Sequence, residues 1–341
     1  MHLLVSFASP ISDAGRQAAA ALQLPNLQKL LSRLVRTGLD EADVWSLSPP
    51  HERVWAAAMG WPQIDGGLPL AAQQAAADGL DVGQRAWGLL SPVHWHVGTD
   101  QVSLLDPAQL MLDEAASHAI FDAVAPLFTS EGFELHWATA LRWYASHACL
   151  ADQRCASLDR VIGRNVDRFL GHTGLIRRLQ SEVQMLLHTH PINDAREAKG
   201  LLPVNSFWLS GCGVLPAAPG AHGPDLPYSP TGAADGTASP ASLPASTSLP
   251  VLDDRLRSHA LAENWPAWVK AWHSLDEGPL LQMLGQIEQG HAKAGADSAP
   301  MRLSLCGERA SLTLAAQPQS LWQRLRGSFS PASLWTTLEP L

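Results

Sequence analysis

The chain opens with a short, continuously apolar segment. Residues 2–8 show no alternation of polar and apolar side chains, which predicts a strand buried on both faces, as in a parallel sheet. Leucines then recur near helical spacing across 18–35, ahead of Gly38, and predict the helix that returns from such a strand. We expect a second short strand at 43–47. This beginning favours an α/β core.

The middle of the chain has a different texture. Residues 51–79 are rich in alanine and are predicted to be helical in two pieces. Alternating apolar positions across 87–105 predict a hairpin, and a helix at 110–128 and a strand at 134–143 follow. This β-β-α-β order over about 60 residues is typical of a small α+β unit inserted into an α/β core.

A segment poor in large apolar residues interrupts the last third. Residues 216–250 consist largely of Pro, Ala, Gly, Ser and Thr, which predicts a disordered linker or loop. Beyond it we predict a helix at 253–272, a pair of strands at 301–305 and 310–314, and a last helical stretch at 321–325. We therefore predict a first part of the core at 1–85 and an inserted α+β domain with connecting helices at 86–200. The second part of the core is predicted at 201–215 and 251–341.

Composition limits the class of protein and its partners. The 341 residues are 46% hydrophobic and 16% charged, as in a globular protein of about two domains. A net charge of −9 opposes docking on nucleic acid or on anionic membranes, so neither partner is expected. The N-terminus lacks the basic flank and long apolar core of a signal peptide, and the four cysteines form no CxxC pair. We therefore expect a cytoplasmic protein with reduced thiols.

The densest polar segment lies between residues 177 and 213. Arg196 offers a planar fork for phosphate or carboxylate, His190 titrates near neutrality, and two asparagines can orient a bound group. These residue types predict a site for a small anionic or phosphorylated ligand. The candidate ligand-binding residues are Arg177, Glu182, His190, Asn193, Arg196 and Asn205. The alternative is that they cap helices and fix a long loop.

One motif in this segment carries a family resemblance. Residues 190–213 read H-P-I-N-x-x-R-x-x-x-G-x-x-P-x-N-x-x-W-x-x-G-x-G. The motif resembles archaeal-type, cofactor-independent phosphoglycerate mutases of the alkaline phosphatase superfamily, and more narrowly a proteobacterial branch labelled as RpfE-type regulatory proteins. The resemblance implies an alkaline-phosphatase-like α/β core with a smaller inserted α+β domain. For active members it also implies two divalent metals, bound by Asp and His around a Ser or Thr nucleophile.

The chain departs from the active pattern. Its first strand exits through Phe7-Ala8-Ser9-Pro10, no carboxylate precedes Asp13, and no Asp-His dipeptide occurs. A two-metal centre needs such ligands. We therefore predict a regulatory or ligand-binding pseudoenzyme with no catalytic residues, no metal site and no cofactor.

Two alternatives remain open. The first is an active mutase or phosphatase that uses Mn or Mg at a rearranged site, with ligands drawn from Asp13, Asp253, Asp254 and His259. The second is a structural interaction protein in which the motif serves only folding.

Smaller features suggest further sites. His94 with His96, or His188 with His190, could each supply two zinc ligands, although no third ligand is apparent. Ser9 could act as a nucleophile, and so could Ser12, but neither has an evident base nearby in sequence.

A tryptophan-rich helix follows the predicted linker. Trp265, Trp268 and Trp272 recur on one helical face, which is typical of core packing. The same face could instead bind a protein partner, and this is the partner surface that the sequence predicts.

Overall fold

The computed structural model describes residues 1–171, 173–216, 249–289, 300–316, 334–339 and 341. Residues 217–248 of the predicted linker and the predicted helical stretch at 321–325 lie outside this part of the chain. Within the described ranges, no helix combines the length and the apolar character that crossing a membrane requires.

The described part of the chain contains eleven strands and twelve α-helices. The strands are β1 (His2–Val5), β2 (Leu34–Glu41), β3 (Ala86–Val93), β4 (Trp95–Val97), β5 (Val102–Leu104), β6 (Glu134–Thr139), β7 (Arg142–Ser146), β8 (Ser206–Val214), β9 (Pro250–Asp253), β10 (Arg302–Cys306) and β11 (Ala310–Ala316). The helices are α1 (Asp13–Ala20), α2 (Pro25–Arg33), α3 (Pro50–Ala58), α4 (Leu70–Ala77), α5 (Glu114–Thr129), α6 (Leu158–Val161), α7 (Gly174–His188), α8 (Pro191–Glu197), α9 (Arg257–Leu261), α10 (Trp265–Leu275), α11 (Leu281–Glu288) and α12 (Leu334–Leu338).

The chain forms two compact units. The core unit comprises Met1–Val44, Pro50–Gly60 and the described residues from 249 onward. The inserted unit comprises Trp45–Pro49 and the described residues from 61 to 216. Helix α4 and strand β8 both pack on β3 inside the inserted unit. The domain boundaries at 85 and 200 stay predictions. The sequence pattern shows that β8 is a buried strand but does not show which sheet it joins.

The core unit is built on a five-stranded sheet in the order β2-β11-β10-β1-β9. Strand β1 lies between the parallel strands β9 and β10, and β11 and β2 continue the sheet in antiparallel fashion. All four residues of β1 are buried, as its unbroken apolar pattern predicts. The predicted α/β class is confirmed by this topology, with helices packed against a mainly parallel centre.

The segment after β1 differs from its prediction. The single helix expected at 18–35 is two helices, α1 and α2, because Pro25 starts a new helix at its first turn. The second strand is not at 43–47 but at Leu34–Glu41, where it forms one edge of the sheet. Seven of its eight residues are exposed, so the strand has no apolar run by which the sequence could reveal it.

The inserted unit contains an antiparallel sheet in the order β6-β7-β3-β8 and the separate hairpin β4-β5. One face of this sheet packs on α5 and α7, and α4 covers residues of the opposite face. The predicted hairpin around Gly98 is confirmed. The strand expected at 134–143 is two strands, β6 and β7, which pair through a tight turn.

Candidate functional site

The motif begins where α7 ends and α8 starts. His190 is the N-cap of α8, and its Nδ1 accepts the main-chain N–H of Ile192 at 3.3 Å. Pro191 occupies the first helical position, where its missing N–H has no cost. His190 therefore fixes a helix start, which is the capping role that the sequence left open.

Asn193 is the buried centre of the motif. Its Nδ2 donates to the carbonyl oxygens of Leu187 (2.9 Å) and Val204 (2.8 Å), and its Oδ1 accepts the N–H of Val204 at 3.0 Å. The side chain is 6% exposed. The amide thus ties the end of α7 to the segment that leads into β8, and both its polar atoms are engaged.

Arg196 is also buried, and it too contacts main-chain groups. Its Nε donates to the carbonyl of Leu202 at 2.9 Å and its second terminal nitrogen donates to the carbonyl of Leu110. Burial lowers the pKa of Arg196, and the carboxylate of Asp113 opposes this shift. The guanidinium therefore orders the protein's own carbonyls, and its partner Leu110 could not be found from local spacing.

Asn205 completes the contacts at the start of β8. Its Oδ1 accepts the N–H of Trp95 at 2.8 Å, and its Nδ2 donates to the carbonyl of the same residue at 3.0 Å. This paired bond copies a strand ladder and aligns the β4-β5 hairpin beside β8.

The two glycines that end the motif allow a close approach to α4. Gly211 has φ +63°, and a Cβ there would lie 2.9 Å from the main-chain nitrogen of Ala71. A Cβ on Gly213, whose φ is +150°, would lie 3.2 Å from a side-chain carbon of Pro69. Glycine is therefore required at Gly211 both by its backbone conformation and by the space available.

The remaining predicted site residues, Arg177 and Glu182, do not join this cluster. Arg177 is exposed on α7, and Glu182 lies 3.7 Å from Arg178 in a helical ion pair. Five positions separate Arg177 and Glu182, so they point about 140° apart around the helix axis. The structure therefore gathers Asn193, Arg196 and Asn205 around the segment at 202–205 and leaves the other two outside.

The carboxyl edge of the core sheet is a second candidate site, because open α/β sheets bind ligands at this edge. Phe7 follows β1 with φ +53°, a strained conformation for a bulky residue, and its ring lies 5.6 Å from that of His51. Ser9 is buried two residues later. This exit therefore presents an aromatic ring, an alanine and a hydroxyl, and no carboxylate.

The neighbouring strand ends do not supply a metal set. Asp253 ends β9, and its Oδ1 accepts from the main-chain nitrogen and from Nε of Arg255. Glu308 follows β10 and accepts the N–H of Ile11 at 3.2 Å. Among the described residues, no group of three or more His, Cys, Asp or Glu side chains could hold a metal ion. The residues at this edge do not fit the two-metal centre that the resemblance implies for active members.

The histidine pairs and Ser12, which the sequence suggested as further sites, lie in separate environments. His94 bonds the carbonyl of Pro203 through Nδ1 at 2.9 Å, while His96 is exposed. His188 is exposed as well. Ser12 is the N-cap of α1, accepting the N–H of Gly15 at 3.2 Å, so its oxygen has a structural role.

The tryptophan helix belongs to the core. Trp268 and Trp272 are fully buried, and Nε1 of Trp268 donates to the carbonyl of Phe7 at 3.0 Å. The side chains of these two residues contact the core unit's own sheet and helices. A partner surface on this helical face stays a prediction. Trp265 is half-buried at the margin of the same cluster.

Sequence reasoning missed a polar cluster in the inserted unit. The hydroxyl of Tyr144 donates to Asp78 at 2.6 Å, and Arg142 forms an ion pair with the same carboxylate at 3.0 Å. Burial, and next the hydrogen bond with Asp78, raise the pKa of Tyr144 far above its ordinary value. The phenol therefore stays protonated as a donor. The spacing of these residues in the sequence does not reveal the cluster, because Asp78 lies at the end of α4 and its two partners lie on β7.

Gln74, one turn before Asp78 on α4, is 3% exposed, and neither polar atom of its amide has a hydrogen-bond partner in the described part of the chain. We expect Gln74→Met to raise the free energy of unfolding by about 1–3 kcal/mol, because an unpaired buried amide is replaced by an apolar chain of similar length. Urea denaturation measures the change, and Gln74→Glu should destabilise. A less stable Gln74→Met protein would show that the amide is hydrogen-bonded in solution.

Comparison with known proteins gives distant structural likenesses. The cofactor-independent phosphoglycerate mutase from Thermoplasma acidophilum DSM 1728 is 12% identical, with 100% of both chains covered and a TM-score of 0.35. The PH0037 protein from Pyrococcus horikoshii is 10% identical over 99% of this chain and 96% of that chain, with a TM-score of 0.44. Neither likeness establishes a family. No protein-family profile matches the chain, and no curated protein matches it.

Proposed function

We propose that this chain is a phosphoglycerate-mutase-like protein that has lost two-metal chemistry and acts by binding, as a cytoplasmic regulatory pseudoenzyme. The observation that carries the proposal is the carboxyl edge of the core sheet. There β1 exits through Phe7, and the carboxylates of Asp253 and Glu308 bond to the protein itself. We also propose that the core is alkaline-phosphatase-like and that the protein uses no cofactor.

The ligand that we propose is a small anion, in keeping with the mutase-like motif, but it is not placed on Arg196. That guanidinium is buried and donates to two carbonyls, so an anion there would have to displace main-chain contacts. The side chains of Asn193 and Asn205 are hydrogen-bonded to main-chain groups, which favours a folding role for the motif. A structural interaction protein is therefore the second candidate.

Turnover of 3-phosphoglycerate by the purified full chain tests the loss of chemistry. We expect no product with added manganese or magnesium, because the edge residues do not form a metal set. Asp253→Asn and His259→Ala serve as matched variants for the rearranged-site alternative. Metal-dependent turnover that disappears in either variant would overturn the proposal and locate the site.

Calorimetric titration with 3-phosphoglycerate then separates the two non-catalytic candidates. Saturable binding without turnover supports a ligand-binding pseudoenzyme. Absence of binding rejects this anion as the ligand and leaves the interaction protein as the better candidate.

A further inference from the structure

Two buried thiols meet inside the inserted unit. Sγ of Cys155 lies 3.3 Å from Sγ of Cys212, and the two side chains are 2% and 1% exposed. Neither cysteine forms a disulfide in this structure. A disulfide needs a sulfur separation of about 2.05 Å, so bond formation requires a movement of little more than 1 Å.

The surroundings hold the pair in position. Cys212 lies in β8 between the two closing glycines of the motif, and a Cβ on Gly88 would come within 3.2 Å of its sulfur. Cys155 is anchored from the other side, because its main-chain N–H donates to the carbonyl of Gly66 at 2.9 Å. The next residue in the chain, Ala156, accepts Nε1 of Trp208 at 2.9 Å. The two backbones are thus fixed independently of any bond between the sulfurs.

We propose that Cys155 and Cys212 form a redox-sensitive pair, closed to a disulfide by a small peroxide, that locks the motif strand β8 to the loop before α6. One thiolate attacks the peroxide O–O bond, giving a sulfenic acid and releasing hydroxide. The second thiolate attacks that sulfur, forming the S–S bond and expelling the other oxygen as hydroxide. The two thiol protons convert both hydroxides to water, so two thiols are oxidised and one peroxide is reduced.

The environment of Cys212 also affects its reactivity. Burial, together with the neighbouring thiols of Cys155 and Cys149, raises the pKa of Cys212. The thiolate of Cys212 is therefore scarce, which slows any reaction that begins at this sulfur. Cys149 is half-buried nearby and provides an internal comparison, since burial raises its pKa as well.

Oxidation of the folded full chain with hydrogen peroxide tests the pair. After free thiols are alkylated, peptide mass spectrometry should find Cys155 linked to Cys212, with a mass two hydrogens below the sum of the peptides. The melting temperature should rise and return after reduction, because the bond closes a long loop in the unfolded chain. Cys306→Ser is the matched control, since it removes a buried thiol of the core unit and leaves the pair intact.

Two variants keep the test decisive. Cys155→Ala and Cys212→Ala should each abolish the peroxide-dependent rise in melting temperature. Cys155→Ala, in the loop before α6, does so without a substitution in β8. The proposal is overturned if both thiols stay alkylatable under conditions that oxidise Cys149. A link that joins Cys149 to either partner would overturn it equally.

Discussion

Replacing Asn193 by leucine is expected to lower the free energy of unfolding by about 3 kcal/mol or more. The substitution removes three hydrogen bonds and leaves the carbonyls of Leu187 and Val204, and the N–H of Val204, without their partner in a buried site. Each buried main-chain group left unpaired costs about 1–3 kcal/mol. Urea denaturation followed by circular dichroism measures the loss.

The control for this prediction lies one turn away on the same helix. Glu197 is exposed on α8, so Glu197→Ala should change stability by less than about 0.5 kcal/mol. If Asn193 served a ligand instead of the fold, Asn193→Leu would unfold like the wild-type protein and would lose only binding. Equal stability of the two proteins would therefore contradict a folding role for Asn193.

The elements that the sequence predicts well are those whose burial shows directly in the side-chain pattern. β1 is buried on both faces, and its four residues form an uninterrupted apolar run. β10 and β11 flank a turn, and their pairing is confirmed residue by residue. In contrast, β2 is exposed at a sheet edge, where main-chain pairing with β11 holds it. A strand of that kind leaves no periodic signal.

The candidate site illustrates a different limit. The motif residues are recognisable in the sequence because their types and spacing are unusual, and the same sequence admits both an anion site and a capping role. Only the partners decide between these roles. Arg196 reaches the carbonyl of Leu110, a residue far away in the chain, and Asn205 reaches Trp95. Such long-range contacts depend on how the sheet and helices pack, which local spacing does not encode.

Truncating Trp268 to alanine is expected to cost about 3–5 kcal/mol of stability, the range measured when large aromatic side chains are removed from cores. The ring is fully buried and packs edge-to-face against Trp272, with centroids 6.1 Å apart. Its Nε1 also holds the carbonyl of Phe7, the residue with positive φ at the exit of β1. Denaturation monitored by circular dichroism gives the change, since many tryptophans complicate a fluorescence signal.

Two further variants separate the contributions of this side chain. Trp268→Phe keeps most of the apolar contact but loses the bond to Phe7, so it should cost about 1–2 kcal/mol. Trp265→Ala, at the half-buried margin of the same helix, should cost clearly less than Trp268→Ala. If Trp268→Ala were as stable as Trp265→Ala, the helix could not be packed as described. Its aromatic face would then be available to a partner, as the alternative interpretation of the sequence holds.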